Sequence, residues 1–248
     1  MAAAQESKGK KHGALFAPVS FIIVCLALIL GMSVFFRVST IEVTGNHLYS
    51  AEEIIAASGI ESGDNLFFIN RISTGSRIIS KLPYVEKATI KRSLPNRLVI
   101  EVTESSALAY VAAEDGLWAI DRGCKLLSRI DSASVGNLIR IEGLTPIAPA
   151  VGETISPGES ETPKVTYLSE ILHHISSLDM VGDVTVIDMS DVSNPVFDYL
   201  GRFQVKLGSN ENIDYKFQLL LTAVAQLEPG DSGTLDLSID QRAHLTYD

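Results

Sequence analysis

The stretch LPYVEKATIKRSLPNRLVIEVTE, residues 82–104, decides the fold of the first folded part of the chain. Apolar and polar residues alternate along two runs, which is typical of strands with one buried face. The runs meet at Pro95 and Asn96, which suit a tight link because proline fixes φ and asparagine tolerates turn geometry. The inward positions are Ala88, Ile90, the stem of Arg92, Leu98, Ile100 and Val102, and the outward positions of the second run are Val99, Glu101 and Thr103. The pattern predicts a β-hairpin.

The residues before this hairpin predict one strand and two helices. Residues 39–48, STIEVTGNHL, alternate as a strand that ends in a Gly-Asn turn. Ser50 and Glu53 have the spacing of a capping box, so a helix is expected to begin there, and Gly59 suits its end. A second helix is expected over residues 70–80. The predicted order up to residue 104 is therefore β-α-α-β-β.

A long apolar segment precedes this unit. Residues 15–36 form a run of 22 without a single charge, and as a helix the run would be about 33 Å long, enough to cross a hydrocarbon core. Three lysines lie within residues 1–14, whereas only Arg37 follows the segment directly. This asymmetry predicts a single-pass membrane helix with a cytoplasmic amino-terminal tail and everything after it outside. A cleaved signal peptide is the alternative, but the segment is longer than a typical signal core and no A-x-A site follows it.

Composition restricts the remaining possibilities. The chain has two cysteines, and Cys25 lies inside the apolar segment while Cys124 lies far beyond it, so no intramolecular disulfide framework is expected. Residues 105–248 carry 9 basic and 21 acidic groups, a formal charge of −12. This part would repel nucleic acid and anionic membrane surfaces, so neither is expected as its ligand. Solubility is the simplest reason for the acidity.

The distal half predicts a second module that contains strands and helices. Asp115 and Gly116 suit a hairpin turn between two apolar runs. Thr162 is expected to cap a helix that has Pro163 at its first position. The runs VTVIDMS and GRFQVKLG are expected as strands. Two helical stripes are expected to face the core, and they consist of Leu168, Ile171, Leu172, Ile175 and Leu178, and of Ile213, Phe217, Leu220, Val224 and Leu227.

The sequence contains no recognisable catalytic, metal or cofactor motif. It has no G-x-S-x-G elbow, P-loop or C-x-x-C motif. His173 and His174 are adjacent, so on a helix they point about 100° apart and are interpreted as surface residues. Cys124 is interpreted as a small hydrophobe, since no base lies near it in sequence. Arg92 and Arg97 flank the hairpin link and could hold a partner's carboxylate, although solvated hairpin ends are the commoner explanation.

Several of these runs, taken in order, resemble a known family. VTGNHLYSAEEI, GDNLFFIN and the hairpin resemble a POTRA domain, and its position after one membrane helix resembles the FtsQ/DivIB family of bacterial cell-division proteins. LWAIDRGCKLL, FQVKLG, YKFQLLLTAVAQL and GTLDLS are similar, in order, to elements of that family's β domain. NLIRIEG, residues 137–143, departs from the pattern because no proline precedes its glycine.

This resemblance implies the fold class and its domains. The expected fold is α+β, with a single transmembrane helix followed by a POTRA domain and a larger mixed α/β-sheet domain. The implied domains are a cytoplasmic tail at 1–14, the membrane helix at 15–36, the POTRA domain at 38–104 and the β domain at 107–248, ending in an edge strand.

The resemblance also implies a function without catalysis. A non-enzymatic scaffold at the division septum is expected to bind the coiled-coil membrane proteins FtsL and FtsB or DivIC, and through them the septal peptidoglycan synthase. One alternative is a POTRA-bearing chaperone of translocation or envelope assembly, but those usually carry tandem POTRA repeats and no repeat is present. An anchored envelope enzyme with an unrecognised site is the other alternative.

The carboxyl-terminal run TLDLSIDQRAHLTYD is expected to form the last strand of the distal sheet and to lie at its edge. An edge strand has free backbone donors and acceptors and can accept a strand from another protein. The family's partner-binding strand corresponds by resemblance to this stretch, with Tyr247 at the position of an aromatic contact. The simpler interpretation is that the strand only completes the fold. The predicted partner-binding residues are Leu235, Leu237, Ser238, Ile239, Leu245, Thr246 and Tyr247.

Overall fold

The computed structural model describes residues 13–158, 161–239 and 242–247, and of residues 13–17 and 33 it describes the backbone alone. Most of the expected cytoplasmic tail, with its three lysines, lies outside the described residues, as do residues 240, 241 and 248 of the expected terminal strand. The chain divides into two compact units. Among the described residues, the first unit consists of 13–78 and 88–102, and the second of 79–87 and 103–247.

The first unit contains helix α1 (Gly13–Phe35), which overlaps the apolar segment. In the part of the chain whose side chains are described, no helix has the length and apolar character needed to cross a membrane. The elements that follow are β1 (Thr40–Thr44), α2 (Ala51–Ser58), α3 (Arg71–Lys81), β2 (Val85–Ser93) and β3 (Arg97–Glu104). The three strands form one sheet in the order β1-β3-β2, and β1 runs parallel to β3. The expected β-α-α-β-β order is confirmed.

The register predicted for the hairpin is correct. Leu98, Ile100 and Val102 are buried on β3, and Thr103 is exposed. Ile90 on β2 is buried as well. Since side chains alternate between the faces of a strand, one face of β3 packs into the core of the unit. That core also contains Ile54, Ile60, Leu66, Ile69 and Ile78.

Local signals set the two helices of this unit. Ser50 and Glu53 form the predicted capping box, in which the Glu53 amide donates to Ser50 Oγ at 3.2 Å and the Ser50 amide donates to Glu53 Oε2 at 2.8 Å. Gly59 ends α2 with φ +65°. Gly75, an unfavourable residue in the middle of α3, is explained by close packing, because a Cβ there would lie 2.8 Å from the carbonyl oxygen of Ala88.

The second unit is built on a nine-stranded sheet. Its strands are β4 (Ala109–Ala113), β5 (Gly116–Ile120), β6 (Leu126–Ile130), β7 (Ile139–Glu142), β8 (Val184–Asp188), β9 (Val196–Tyr199), β10 (Phe203–Lys206), β11 (Gly233–Asp236) and β12 (His244–Tyr247). Their order in the sheet is β12-β11-β10-β9-β8-β7-β4-β5-β6. The β4–β7, β7–β8 and β10–β11 pairs are parallel. The expected mixed sheet is therefore confirmed.

Two helices, α4 (Thr162–Ser177) and α5 (Ile213–Val224), pack within this unit. Their predicted stripes contribute to the core, where Ile171, Leu172, Phe217 and Leu220 are fully buried. The expected cap of α4 is wrong by one residue: Thr162 is the first helical residue and Glu161 occupies the cap position without a side-chain bond. Pro163 is therefore the second helical residue and not the first, a position that tolerates proline because the amides of the first helical turn have no intrahelical partner.

The segment NLIRIEG forms a central strand of the second sheet despite the missing proline. It contains β7, which lies between β8 and β4 and pairs parallel with both. Gly143 follows β7 with φ +71°, and a Cβ there would overlap the backbone nitrogen of Ser190. The glycine is therefore required by close approach of the chain after β8, whether or not a proline precedes it.

Candidate partner-binding strand

The predicted terminal strand is in fact two strands, β11 and β12, which pair antiparallel with each other. Gly233 lies opposite Tyr247, and Leu235 lies opposite Leu245. Asp236 ends β11, where its Oδ1 accepts bonds from the amide of Ser238 at 2.9 Å and from Ser238 Oγ at 2.6 Å. The chain then turns back before β12.

The edge position expected for the end of the chain belongs to β12 and not to β11. β11 lies between β10 and β12, so both of its edges are occupied. β12 is the last strand in the order of the sheet, and among the described residues no strand pairs with its outer side.

Gly233 allows β12 to approach β11 closely. Its φ is +141°, a conformation that residues with a side chain rarely adopt. A Cβ at this position would overlap the carbonyl oxygen of Thr246. The sequence signal for this role is a glycine at the start of an alternating run, which indicates close backbone approach. Our sequence reasoning missed it.

The direction of the backbone groups on β12 follows from the pairing of β11. The amides of Gly233 and Leu237 donate to the carbonyls of Arg202 and Lys206, toward β10. Because backbone groups alternate sides along a strand, the groups of Thr234 and Asp236 face β12, and those opposite them, on Thr246 and His244, face back toward β11. The amides and carbonyls of Leu245 and Tyr247 therefore point to the open side.

The side chains of the predicted site residues divide into three groups. Leu235 and Leu237 are buried in the core, so they stabilise the fold and their side chains are closed to a partner. Ser238 and Ile239 are exposed in the turn after β11, not on a strand. On β12, Leu245 is half-buried against the core, Thr246 is exposed, and Tyr247 is 63% exposed. The residues brought together on the open edge are thus Leu245, Thr246 and Tyr247.

At the opposite end of the sheet, the edge strand β6 is partly covered by another segment of the chain. The amide of Leu126, the first residue of β6, donates to the carbonyl of Glu153 at 2.8 Å, and the Leu126 carbonyl accepts from Gly152 at 2.7 Å. Lys125 and Thr154 add an isolated antiparallel bridge. The start of β6 is therefore occupied by a segment of the same chain, which is one way in which proteins protect an edge.

The two arginines proposed as secondary contacts have partners within the first unit. Arg92 Nη2 donates to the carbonyls of Ile69 at 2.7 Å and Phe67 at 3.3 Å, and its guanidinium lies over the Phe67 ring at 5.9 Å. Arg92 therefore ties β2 to the connector before α3. Arg97 Nη1 lies 3.3 Å from Glu42 Oε2, an exposed pair of the kind that contributes about 0–1 kcal/mol.

Two histidines and one cysteine were the residues to consider for metal binding or nucleophilic catalysis. His173 is exposed, as expected, whereas His174 is half-buried: its ring stacks on Phe217 at 4.9 Å between centroids. Cys124 is fully buried, and burial raises the pKa of its thiol well above the usual range. It is a small core residue, as predicted. Over the described residues, no group of three or more His, Cys, Asp and Glu side chains is arranged to hold a metal ion.

Comparison with known proteins finds one domain match and several similar proteins. Residues 36–105 match the POTRA domain of the FtsQ type, so the chain is a POTRA-bearing protein. It is 28% identical to the cell division protein DivIB of Clostridium tetani over 194 residues, which cover 78% of this chain and 72% of that protein. These findings confirm the resemblance to the FtsQ/DivIB family of bacterial cell-division proteins.

Two further relatives show the same similarity. The cell division protein FtsQ of Corynebacterium glutamicum is 28% identical over 174 residues, 67% of this chain and 78% of that protein. The cell division protein DivIB of Bacillus subtilis is 32% identical over 120 residues, 48% of this chain and 46% of that protein. All three relatives are cell division proteins, which supports a role for this chain in cell division.

Proposed function

We propose that this chain is a membrane-anchored, non-enzymatic scaffold that binds other bitopic division proteins at the septum through the outer edge of β12. The partners would be coiled-coil proteins of the FtsL and FtsB or DivIC type, and through them the chain would help to recruit and regulate the septal peptidoglycan synthase. Residues 38–104 would act as the POTRA domain and residues 107–248 as the β domain.

The observation that carries this proposal is the open edge of β12. The outward amides and carbonyls of Leu245 and Tyr247 can bond to an added strand, because backbone hydrogen bonds give affinity in such complexes and side chains give selectivity. The exposed ring of Tyr247 offers a large apolar surface beside those bonds, and aromatic residues are enriched among the contacts that dominate binding.

A pair of substitutions at one position separates backbone pairing from side-chain contact. Tyr247→Ala removes the ring and keeps the amide, whereas Tyr247→Pro removes the ring and the outward donor together. We expect the alanine variant to bind the coiled-coil partner weakly and the proline variant to lose binding further. The measurement is the affinity of the full chain in detergent for the purified partner.

Two controls complete this experiment. Thr246→Pro removes an amide that faces β11, so it should loosen β12 from its own sheet and reduce binding by that route. Ser238→Pro lies in the turn after β11 and should leave the outer edge of β12 intact. If the chain without residues 240–248 folds, binds the partner and supports septation, β12 is not the binding site.

The anchoring proposed for α1 has an independent test. The excess of lysines before the apolar segment predicts a cytoplasmic amino terminus. An alkaline phosphatase fusion after residue 104 should then be active in cells, and ordinary green fluorescent protein fused at the same position should be dark. A bright fluorescent fusion would contradict the orientation.

The non-enzymatic character is tested separately. The purified chain should not hydrolyse peptidoglycan or peptides above the background of a preparation from cells without the gene. Reproducible hydrolysis that co-purifies with the chain would favour the anchored envelope enzyme instead.

A further inference from the structure

The first unit carries large apolar side chains that face solvent at one end. Phe68 and Ile72 are 85% and 84% exposed, and Leu94, in the link between β2 and β3, is 58% exposed. We call these three residues the apolar rim. Where such residues lie together, contiguous exposed apolar surface marks a site of contact with a protein or a membrane.

The structure holds the rim residues in place on defined turns. Asn65 Oδ1 accepts from the amide of Phe67 at 2.9 Å, and the Asn65 carbonyl accepts from the amide of Phe68 at 3.0 Å. Asn70 Oδ1 accepts from the amide of Ile72 at 3.1 Å at the start of α3. The side chains of Phe68 and Ile72 are therefore presented to solvent by ordered backbone.

The connector that carries Phe68 is bonded directly to the end of α1. Asn65 Nδ2 donates to the carbonyl of Met32 at 3.1 Å, and the amide of Leu66 donates to the carbonyl of Phe36 at 2.8 Å. The rings of Phe36 and Phe67 meet edge to face, with centroids 5.0 Å apart. The surface around Phe68 thus continues the exposed apolar surface of the last turn of α1.

The link that carries Leu94 lies at the same end of the unit. The carbonyl of Asn96 accepts from the amide of Ser39 at 2.9 Å, four residues after α1 ends. Thr40, the first residue of β1, pairs with Arg97, the first residue of β3. Leu48 follows the far end of β1, which is roughly 13 Å long.

We propose that the apolar rim inserts into the outer leaflet of the membrane where α1 leaves it. The first unit would then lie against the lipid surface. The inference rests on the proposed anchoring of α1. If α1 lies in the bilayer, segments bonded to its last turn are held at the interface, where apolar side chains penetrate about 5–10 Å. Leu48, one strand length further away, would remain in water.

The rim and the far end offer a matched pair of substitutions for a test. Leu94 and Leu48 are the same residue type and are 58% and 60% exposed, so Leu94→Trp and Leu48→Trp introduce equivalent probes. Phe68→Trp adds a second rim probe. Trp118, the one tryptophan of the chain, gives the same background in every variant and in the parent.

The measurement is tryptophan fluorescence of the full chain in phosphatidylcholine vesicles, with and without bromine on the acyl chains. We expect the added emission of Leu94→Trp and Phe68→Trp to be quenched several-fold more strongly than that of Leu48→Trp. Equal quenching of the three probes in chain that floats with the vesicles would overturn the insertion and leave the anchoring intact. An apolar partner protein would then be the occupant of the rim. Failure of the chain to float would refute the anchoring, and the insertion with it.

Discussion

The substitution Ile100→Asp tests the register on which the POTRA unit is built. Ile100 is fully buried on β3, the middle strand of the three-stranded sheet. Truncation of a buried isoleucine costs about 2–5 kcal/mol, and burying an unpaired polar group adds about 1–3 kcal/mol. The sum is comparable to the whole free energy of unfolding of a small domain, about 5–15 kcal/mol. We therefore expect the unit to unfold at or below room temperature.

The assay is hydrogen exchange of the amides of the first unit in the full chain, combined with calorimetry. The control is Glu101→Gln at the next position, where the side chain points away from the core. Glu101 Oε1 lies 2.6 Å from Lys91 Nζ, and both side chains are largely exposed, so loss of this pair should cost less than about 1 kcal/mol. Equal melting temperatures for the two variants would refute the register.

The effect of Ile100→Asp should also depend on pH. The introduced carboxyl would be buried, so its pKa in the folded state would lie above its unfolded value of about 3.9. The folded state then binds more protons, and its stability falls as the pH rises above that value. Partial rescue of folding near pH 4 would identify carboxylate burial as the cause.

Three further predictions concern single contacts. Gly233→Ala should strain the backbone by about 1–3 kcal/mol and displace Thr246, so amide exchange on β12 should accelerate while α4 stays protected. Ser50→Ala should destabilise α2 by about 1 kcal/mol. The backbone and side-chain bonds from Ser50 lower the pKa of Glu53, so their contribution to stability should be lost as the pH falls through that lowered pKa. Alanine keeps the backbone donor, so an acid titration of the melting temperature should show a larger loss in the parent than in the variant. Cys124 should resist alkylation until the second unit unfolds, because its thiol is buried and its pKa is raised, which mass spectrometry can follow in a Cys25→Ala background.

Local sequence signals predicted those parts of the fold that depend on near neighbours. The capping box at Ser50, the alternation through Leu98 and Ile100 and the stripe on α4 each record an interaction between residues close in sequence. These predictions are correct because local preference and tertiary packing favour the same structure at these positions.

Pairings between distant segments were not predictable in the same way. β9 spans only Val196–Tyr199 and has no distinct local signal, and the parallel pairing of β10 with β11 joins residues about thirty positions apart. For the same reason the sequence predicts Leu235 and Leu237 as partner contacts: alternation alone does not indicate that β12 covers β11. The sequence favours a solvated hairpin end at Arg92, because its contact with the carbonyl of Ile69 is set by tertiary packing and has no local signal.

The open side of β12 has a consequence for the stoichiometry of any complex formed there. A strand that adds to β12 becomes the tenth strand of the sheet, and its own outer side is then the new exposed edge. Binding therefore transfers the unpaired edge to the partner and does not remove it. A partner that stops further strand addition must protect its own outer edge, for example with a helix or with charged side chains. Without such protection, each added strand would bind another chain and the sheet would extend into a continuous ribbon.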